Sequence, residues 1–595
     1  MGRERDLAFF KASILVLVAI LFEMNSAHAY IQTMTNQGAP VRWPTGFKFN
    51  VAGNPINTSG LSEGDVYQSV VRSLQRWKEA SNGAVSFDYW QGTDSSEYEP
   101  NSGFNGESSV YFSSNSNGSG ELTPNILGLT QVWYSTDSGI ILEADTTLND
   151  KNFIFTTNPM DTSGFGSLAS GGPGKNRVYI ENVLTHEFGH SLGLSHSAQL
   201  QSTMLFMESP EQAHLACDEE VGIHALYPNG DRSNIQGTVL APNGSPLFGV
   251  NVLAISERRG TVLASGLTDR SGNYSISGLE PGNYFILAEP YFASSNALPP
   301  YYSGISSMVC PAHESFGRTL LVDSNNIAVT VSAPQGGDAS APPLTVGCAA
   351  GGAAIAGEQS INSNSRVASI FDGLKTSGFG LGDRFESSSG THSFLLKNIS
   401  GHLEIRALSF SLYSPVGLQL TLLGGDGQVV SAQNQSPVYA GDSGYTNYDA
   451  ALIADQLPMG DYTIQVSASS LSTSLYPAGT ISLDSVPFMV LTGTLNQEAP
   501  PLSSVIPFNA RCRMAENFAA YQSPPGGYPR ASRESDSTSG GCGMIDTSGK
   551  GGKGSGPGIP AVLGWFAPWL LMAGIARVLG KTRVLKSLAR ERARS

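Results

Sequence analysis

Basic residues are scarce: 34 Lys and Arg stand against 49 Asp and Glu, for a net charge of −15. A nucleic-acid partner wants a basic face, so that class of function is disfavoured. Charged residues of both signs make up only 14%, while Gly, Ser and Asn are plentiful. That composition favours strands and turns over long charged helices. Cysteine is scarce too. Cys217, Cys310, Cys348, Cys512 and Cys542 include no CxxC spacing, so no cysteine zinc site is read. Between Tyr30 and Thr185 there is no histidine at all. Long apolar runs occur only near the two ends.

Those ends speak about compartment. Arg3, Arg5 and Lys11 form a basic region before the apolar run Ala12 to Phe22, and Ala27-His28-Ala29 is a small-x-small site. Residues 1–29 therefore read as a signal peptide, with the mature chain starting near Tyr30. Ile559 to Ala576 is mostly apolar and is followed by Arg577, Lys581, Arg583, Lys586, Arg590, Arg592 and Arg594. Residues 557–595 read as a transmembrane segment with a cytoplasmic basic tail, leaving the bulk of the chain outside. In an oxidising compartment some cysteines should pair. Cys310 and Cys348 are the best candidates, and Cys542 is the natural one left over.

The length predicts several domains. Residues 41–51 alternate like a strand, and Leu61 to Ala80 carries Val66, Val70, Leu74 and Trp77 at helical spacing, with Ser62 as a cap. Residues 85–90 and 109–112 read as strands, and 128–149 as two strands around a turn. A second helix carries His186 and His190, and a third covers 217–227. From 234 to 333 the chain is short strands and turns, consistent with a small β-sandwich. Residues 334–358 read as a Pro-, Gly- and Ala-rich linker. A second all-β block runs from 359 to 495. Residues 496–556 read as a low-complexity linker holding the motif Gly540-Gly541-Cys542-Gly543. The fold class is thus multidomain: an α+β catalytic domain with a mixed twisted sheet, two β-sandwich domains, and a C-terminal membrane segment.

The chemistry gathers at HEFGHSLGLSH, residues 186–196. His186 and His190 are four apart, so on a helix they share a face. Gly193 can end the helix in a left-handed turn and bring His196 to the same point. Three imidazoles then hold one zinc ion with a position left open. Glu187 projects beside the metal as general base. The reaction class is metal-assisted hydrolysis, most simply of a peptide bond.

This stretch resembles the metzincin signature HExxHxxGxxH. Metzincins add a methionine turn under the metal, and Met204 stands at the matrixin spacing, with Met207 as competitor. Ser197 after the third histidine is matrixin-like, where adamalysins show Asp and serralysins Pro. Phe206 replaces the tyrosine of astacins and serralysins. Residues 128–149 are similar to the substrate-side edge strand of bacterial matrixin-like enzymes, and residues 218–228 to the final matrixin helix. The resemblance covers about residues 40–228, within a zinc-peptidase domain read over 30–230. It implies an α+β zinc peptidase with His186, His190 and His196 as ligands, Glu187 as catalytic base, Met204 as the structural turn, and protein or peptide substrates. The missing upstream histidines predict that a second, structural zinc is absent. Asp145, Asn149 and Asp150 could help hold calcium, although a solvated acidic loop reads more simply. With the fold starting near Ile31, no pro-domain is expected, and no upstream cysteine serves as a latency switch.

Residues 234–333 resemble carboxypeptidase regulatory-like domains, through the turns at Gly244-Ser245-Pro246, Gly272-Asn273-Tyr274 and Pro281-Gly282-Asn283-Tyr284. Residues 359–495 resemble pre-peptidase C-terminal domains. The tail resembles GlyGly or Myxo sorting signals, in which Cys542 would carry a surface anchor after cleavage. His214, His224, His313, His392 and His402 read as isolated surface or core residues. The expectation is an exported, secreted or surface-anchored zinc endopeptidase of extracellular proteins. Two alternatives stay open: a non-catalytic surface adhesin, and a narrow-specificity processing protease.

Overall fold

A computed structural model describes residues 30–495, apart from loop segments, and the short strand 541–544. The longest segments left out of that range are 92–103, 160–175, 292–301, 349–367 and 471–487. The expected signal peptide and membrane segment lie outside the described residues. Among the described residues no helix is long and apolar enough to cross a membrane.

The first domain is a mixed sheet backed by helices. Its strands are β1 (Lys48–Gly53), β2 (Ser86–Gln91), β3 (Ser108–Phe112), β4 (Ile126–Tyr134) and β5 (Ile141–Leu148), in the spatial order β2-β1-β3-β5-β4. All neighbours are parallel except β4, which runs antiparallel to β5 and stands outermost of these five. The strand expected over 41–51 starts later than its alternation suggests. Arg42 makes only an isolated bridge to Ile140, and regular pairing begins at Lys48. A second pair, β6 (Phe153–Thr156) and β7 (Asn176–Tyr179), is parallel and leads directly into the histidine helix.

Helix α1 (Glu63–Ala80) begins at Ser62, whose side chain accepts from the Asp65 amide while Asp65 reaches back, a reciprocal capping box. Its Val66, Val70, Leu74 and Trp77 face the core. Helix α2 (Ile180–Ser191) is buried on every side, charged residues included. Its polar groups are therefore partnered from α1. Arg72 and Arg76 each pair with Glu181 at 2.6 Å, and the Trp77 indole donates to the Thr185 carbonyl at 2.9 Å. Helix α3 (Cys217–Leu226) closes the domain.

The second domain is a two-sheet sandwich. One sheet runs β10 (Thr261–Leu267), β9 (Asn251–Ser256), β12 (Gly282–Glu289), β13 (Thr319–Leu320), with β14 (Thr330–Ala333) also on β12. The other holds β11 (Asn273–Leu279), β8 (Ser233–Leu240) and β15 (Asp338–Ser340), with β16 (Leu344–Thr345) also on β8. The strands on either side of the turn at Gly244-Ser245-Pro246, β8 and β9, thus fall in different sheets. The linker expected over 334–358 is corrected in its first part. Residues 338–345 pair in parallel with β8 and bury Ala339, Ala341 and Leu344. Small residues and prolines disguised these short strands, which pack by backbone pairing more than by bulky side chains. The expected Cys310–Cys348 disulfide is formed.

The third domain rests on two long strands, Gly390–Leu408 and Ala450–Ser470. They pair along most of their length, with register breaks between Leu396 and Leu403. On one side of the breaks they pair with Ala368–Asp372 and Val416–Leu423. On the other they pair with Phe488–Leu495. Phe394, Leu420 and Ile464 from one half share a core with Ile405, Leu452 and Leu491 from the other. One continuous sheet thus covers a single shared core. Buried Arg318 joins the last two domains, 3.2 Å from Glu289 and donating to the Leu412 carbonyl at 2.7 Å.

A disulfide stabilises mainly by restricting the unfolded chain. Cys310→Ser with Cys348→Ser should cost the second domain about 2–4 kcal/mol, read by calorimetry, with no loss of metal bound by the first domain. A melting profile unchanged by reduction would contradict this.

Candidate metal centre

The histidine cluster is built by one helix and one reversal. His186 and His190 sit on one face of α2, with their Nε2 atoms 3.1 Å apart. The helix stops at Gly193, whose φ of +101° is left-handed. A Cβ at Gly193 would also lie 1.9 Å from the Val41 carbonyl oxygen, so no other residue fits. The chain then turns back, and His196 comes to ring-centroid distances of 5.3 Å from His186 and 4.8 Å from His190. The three ligand nitrogens lie within 4.8 Å of one another, and all three residues are buried. It is the only such metal-sized cluster among the described residues.

Zinc fits this cluster. Nitrogens about 2.0–2.1 Å from a tetrahedral ion stand a little over 3 Å apart, close to the observed His186–His190 spacing. The tautomers agree as well. His186 Nδ1 lies 2.8 Å from the Thr203 carbonyl oxygen, and His190 Nδ1 lies 2.9 Å from that of Leu194. Each carbonyl accepts the Nδ1 proton, which leaves Nε2 as a bare lone pair facing inward. Burial pushes His186 down to about 3, with His196 adding to the effect, and His190 is lowered for the same reasons. Neutral imidazole is the form that ligates.

The loop between the second and third histidines is strapped from the start of the domain. Thr33 donates its amide to the Gly193 carbonyl at 2.9 Å, and Ser195 donates to the Ile31 carbonyl at 2.7 Å. The Ser191 and Leu192 carbonyls at the helix end take the Trp43 indole and the Tyr227 hydroxyl. Below the cluster lies Met204, buried, its amide bound to Glu219 Oε1 at 2.9 Å. Its sulfur packs so closely on α2 that a Cβ at Gly189 would stand 2.3 Å from it. Ser197 donates its hydroxyl to Asp218 at 2.6 Å and its amide to the Met204 carbonyl at 2.8 Å. The start of α3 thus fixes both the third histidine and the methionine turn. Phe206 packs edge-on to His196 at 6.2 Å. The competing Met207 lies outside the described residues.

Glu187, next to His186 on α2, is buried and reaches β4. Its Oε2 accepts from Thr130 Oγ1 at 2.7 Å. Thr130 Oγ1 is in turn 3.0 Å from Thr146 Oγ1. A hydroxyl has one proton. With Thr130 donating to Glu187, Thr146 donates to Thr130, and the relay fixes the carboxylate. Sequence reading passed over Thr130, because a lone threonine in a strand carries no signature.

Other expected residues are not brought together. Asp145 takes the Ser109 amide at 2.9 Å, while Asp150 takes the amides of Thr58 and Ser114 at 2.7 and 2.8 Å. Asn149 donates to the Ile126 carbonyl. These three residues make turn and strand contacts. Two histidines expected to be isolated have carboxylate partners. His392 sits 2.5 Å from Asp383, and His402 lies between Asp455 and Glu404. His224 is buried, and the His214 carbonyl accepts from Thr203. His313 and Cys542's side chain lie outside what is described.

Burial, then the charge of Glu143, pushes Asp145 up to about 7. A carboxyl whose folded value is raised contributes stability at low pH that is lost as pH rises from its unfolded value, near 4, through about 7. Asp145→Asn should therefore flatten the decline in unfolding free energy between pH 5 and 7. Identical slopes for both proteins in denaturant titrations would contradict this.

Comparison with known families agrees with this geometry. Residues 47–228 match the matrixin family, and residues 234–295 match the carboxypeptidase regulatory-like domain. Among solved structures, the pre-peptidase C-terminal domain of collagenase from Bacillus anthracis is 10% identical, covering 22% of this chain and 100% of its own, with a TM-score of 0.14. The Bacillus anthracis TIE protein is 10% identical, covering 41% of this chain and 31% of its own, with a TM-score of 0.13. Scores this low assign no fold to residues 359–495. The chain carries a matrixin-family metallopeptidase domain with a carboxypeptidase regulatory-like domain directly behind it.

Proposed function

We propose that the chain is an exported zinc endopeptidase acting on extracellular proteins, with Glu187 as its general base. The observation that carries the reading is the pairing of an inward-facing histidine cluster with a carboxylate held beside it by Thr130. His186, His190 and His196 would hold the ion. When bound, zinc supplies a Lewis acid for water and for the scissile carbonyl. Glu187 takes the proton from the attacking water and delivers it to the leaving nitrogen. Thr130 keeps Oε2 pointed at that task. The strand β4 offers backbone donors and acceptors to an extended peptide, which suits an endopeptidase.

Export is supported by the basic, apolar and small-residue pattern of residues 1–29 and by disulfides at Cys310–Cys348 and at Cys217. Surface attachment through 557–595, or through a processed signal at Cys542, rests on the sequence pattern. The preserved Glu187 and its relay favour catalysis over the adhesin alternative, since a binding protein needs neither. Narrow processing and broad degradation use the same chemistry and differ only in the substrates cut.

The test is casein hydrolysis by the full chain. Glu187→Gln should keep one zinc per chain and lose about 10³-fold or more in kcat/KM, within the range of general-base and electrostatic contributions. Thr130→Val should keep zinc and lower kcat about 10-fold, with little change in KM. Chelation should abolish activity, and zinc should restore it. Wild-type-like hydrolysis by Glu187→Gln would refute the mechanism.

A further inference from the structure

The outer edge of β4 is not empty. Gly541–Met544 pairs with it in parallel, with Gly541 opposite Ile126, Gly543 opposite Leu129 and Met544 opposite Thr130. Thr130 is the residue whose hydroxyl binds Glu187. The tail strand therefore runs beside the segment of β4 that orients the base. It takes the main-chain positions that an extended peptide would need there.

We infer that Gly541–Met544 is an intramolecular occupant of the β4 edge that competes with peptide substrate for the cleft. The claim rests on the peptidase reading for its consequence but not for its geometry. Three of the residues at Gly540–Gly543 are glycine, a poor strand former with no side chain to fill a pocket. Such a strand holds by main-chain pairing and is readily displaced. Tethering compensates for weak pairing. Belonging to the same chain makes the pairing intramolecular and raises the tail's effective concentration at β4 above that of a free peptide. Weak pairing is then well populated within one chain, yet is lost once the tail is cut or released.

The test uses the full chain with Gly541→Pro and Gly543→Pro. Proline removes the amide that a strand ladder needs. Alternate amides of β4 bond β5, and the others face the tail. In the double variant those tail-facing amides should exchange with deuterium about 10-fold faster. The same substitutions in a Glu187→Gln background, where nothing is cut, should tighten binding of denatured casein about 10-fold by fluorescence polarisation. Cys542→Ser keeps every main-chain amide and serves as a second variant: it should leave the β4 amides slower to exchange than the double variant does. Unchanged β4 exchange in the double variant overturns the inference. Faster exchange with unchanged casein affinity also overturns it, because the strand would pair without competing. A wild-type chain that never cleaves casein would refute the peptidase reading alone, since exchange and binding are read without catalysis.

Discussion

Two backbone carbonyls decide whether this site exists. The Thr203 and Leu194 oxygens accept the Nδ1 protons of His186 and His190, and only then do both Nε2 lone pairs face one point. Each carbonyl is itself held by a long chain of dependencies. Leu194 sits in the loop that Gly193 opens and that residues 31–33 strap down. Thr203 sits in the methionine turn, which Glu219 and Asp218 anchor from α3. Removing the strap or the anchor frees a carbonyl, and a freed carbonyl frees a ring. Helix α2 is buried on all sides, and that burial keeps His186 neutral, the form that ligates.

Much of this was legible in the sequence because it is written in local spacing. His186 and His190 at a helical interval, Gly193 as the only residue able to reverse the chain, and Met204 eight positions past His196 are short-range signals. So was Ser62 at the start of α1. What escaped was nonlocal. Thr130 matters because β4 passes Glu187, and nothing near Thr130 in the chain says so. Asp218 and Glu219 lie in a stretch that reads only as the third helix, yet each reaches back across the fold to the metal loops. The strands at 338–345 were hidden because small residues and prolines look like linker until β8 is there to pair with them. Asp145, Asn149 and Asp150 read as a solvated acidic loop, yet they are buried and their side-chain oxygens accept from protein donors.

The domains behind the site share its dependence on cross-chain ties. Ser265 of β10 donates its amide to Asp218 at 2.9 Å, the same carboxylate that receives Ser197. The second domain therefore touches the residue that fixes the third histidine's loop. Arg318 carries the connection onward to the third domain. The tail returns from the far end of the chain to β4. The accessory parts of the chain thus touch the elements that build the site.

The most direct measurement is the anomalous difference map of crystals grown with zinc, collected on both sides of the zinc absorption edge. The account predicts one strong peak bound by Nε2 of His186, His190 and His196, with the Nδ1 atoms of His186 and His190 on the Thr203 and Leu194 carbonyls. A peak bound through Nδ1, or zinc held elsewhere while this cluster stays empty, would contradict it.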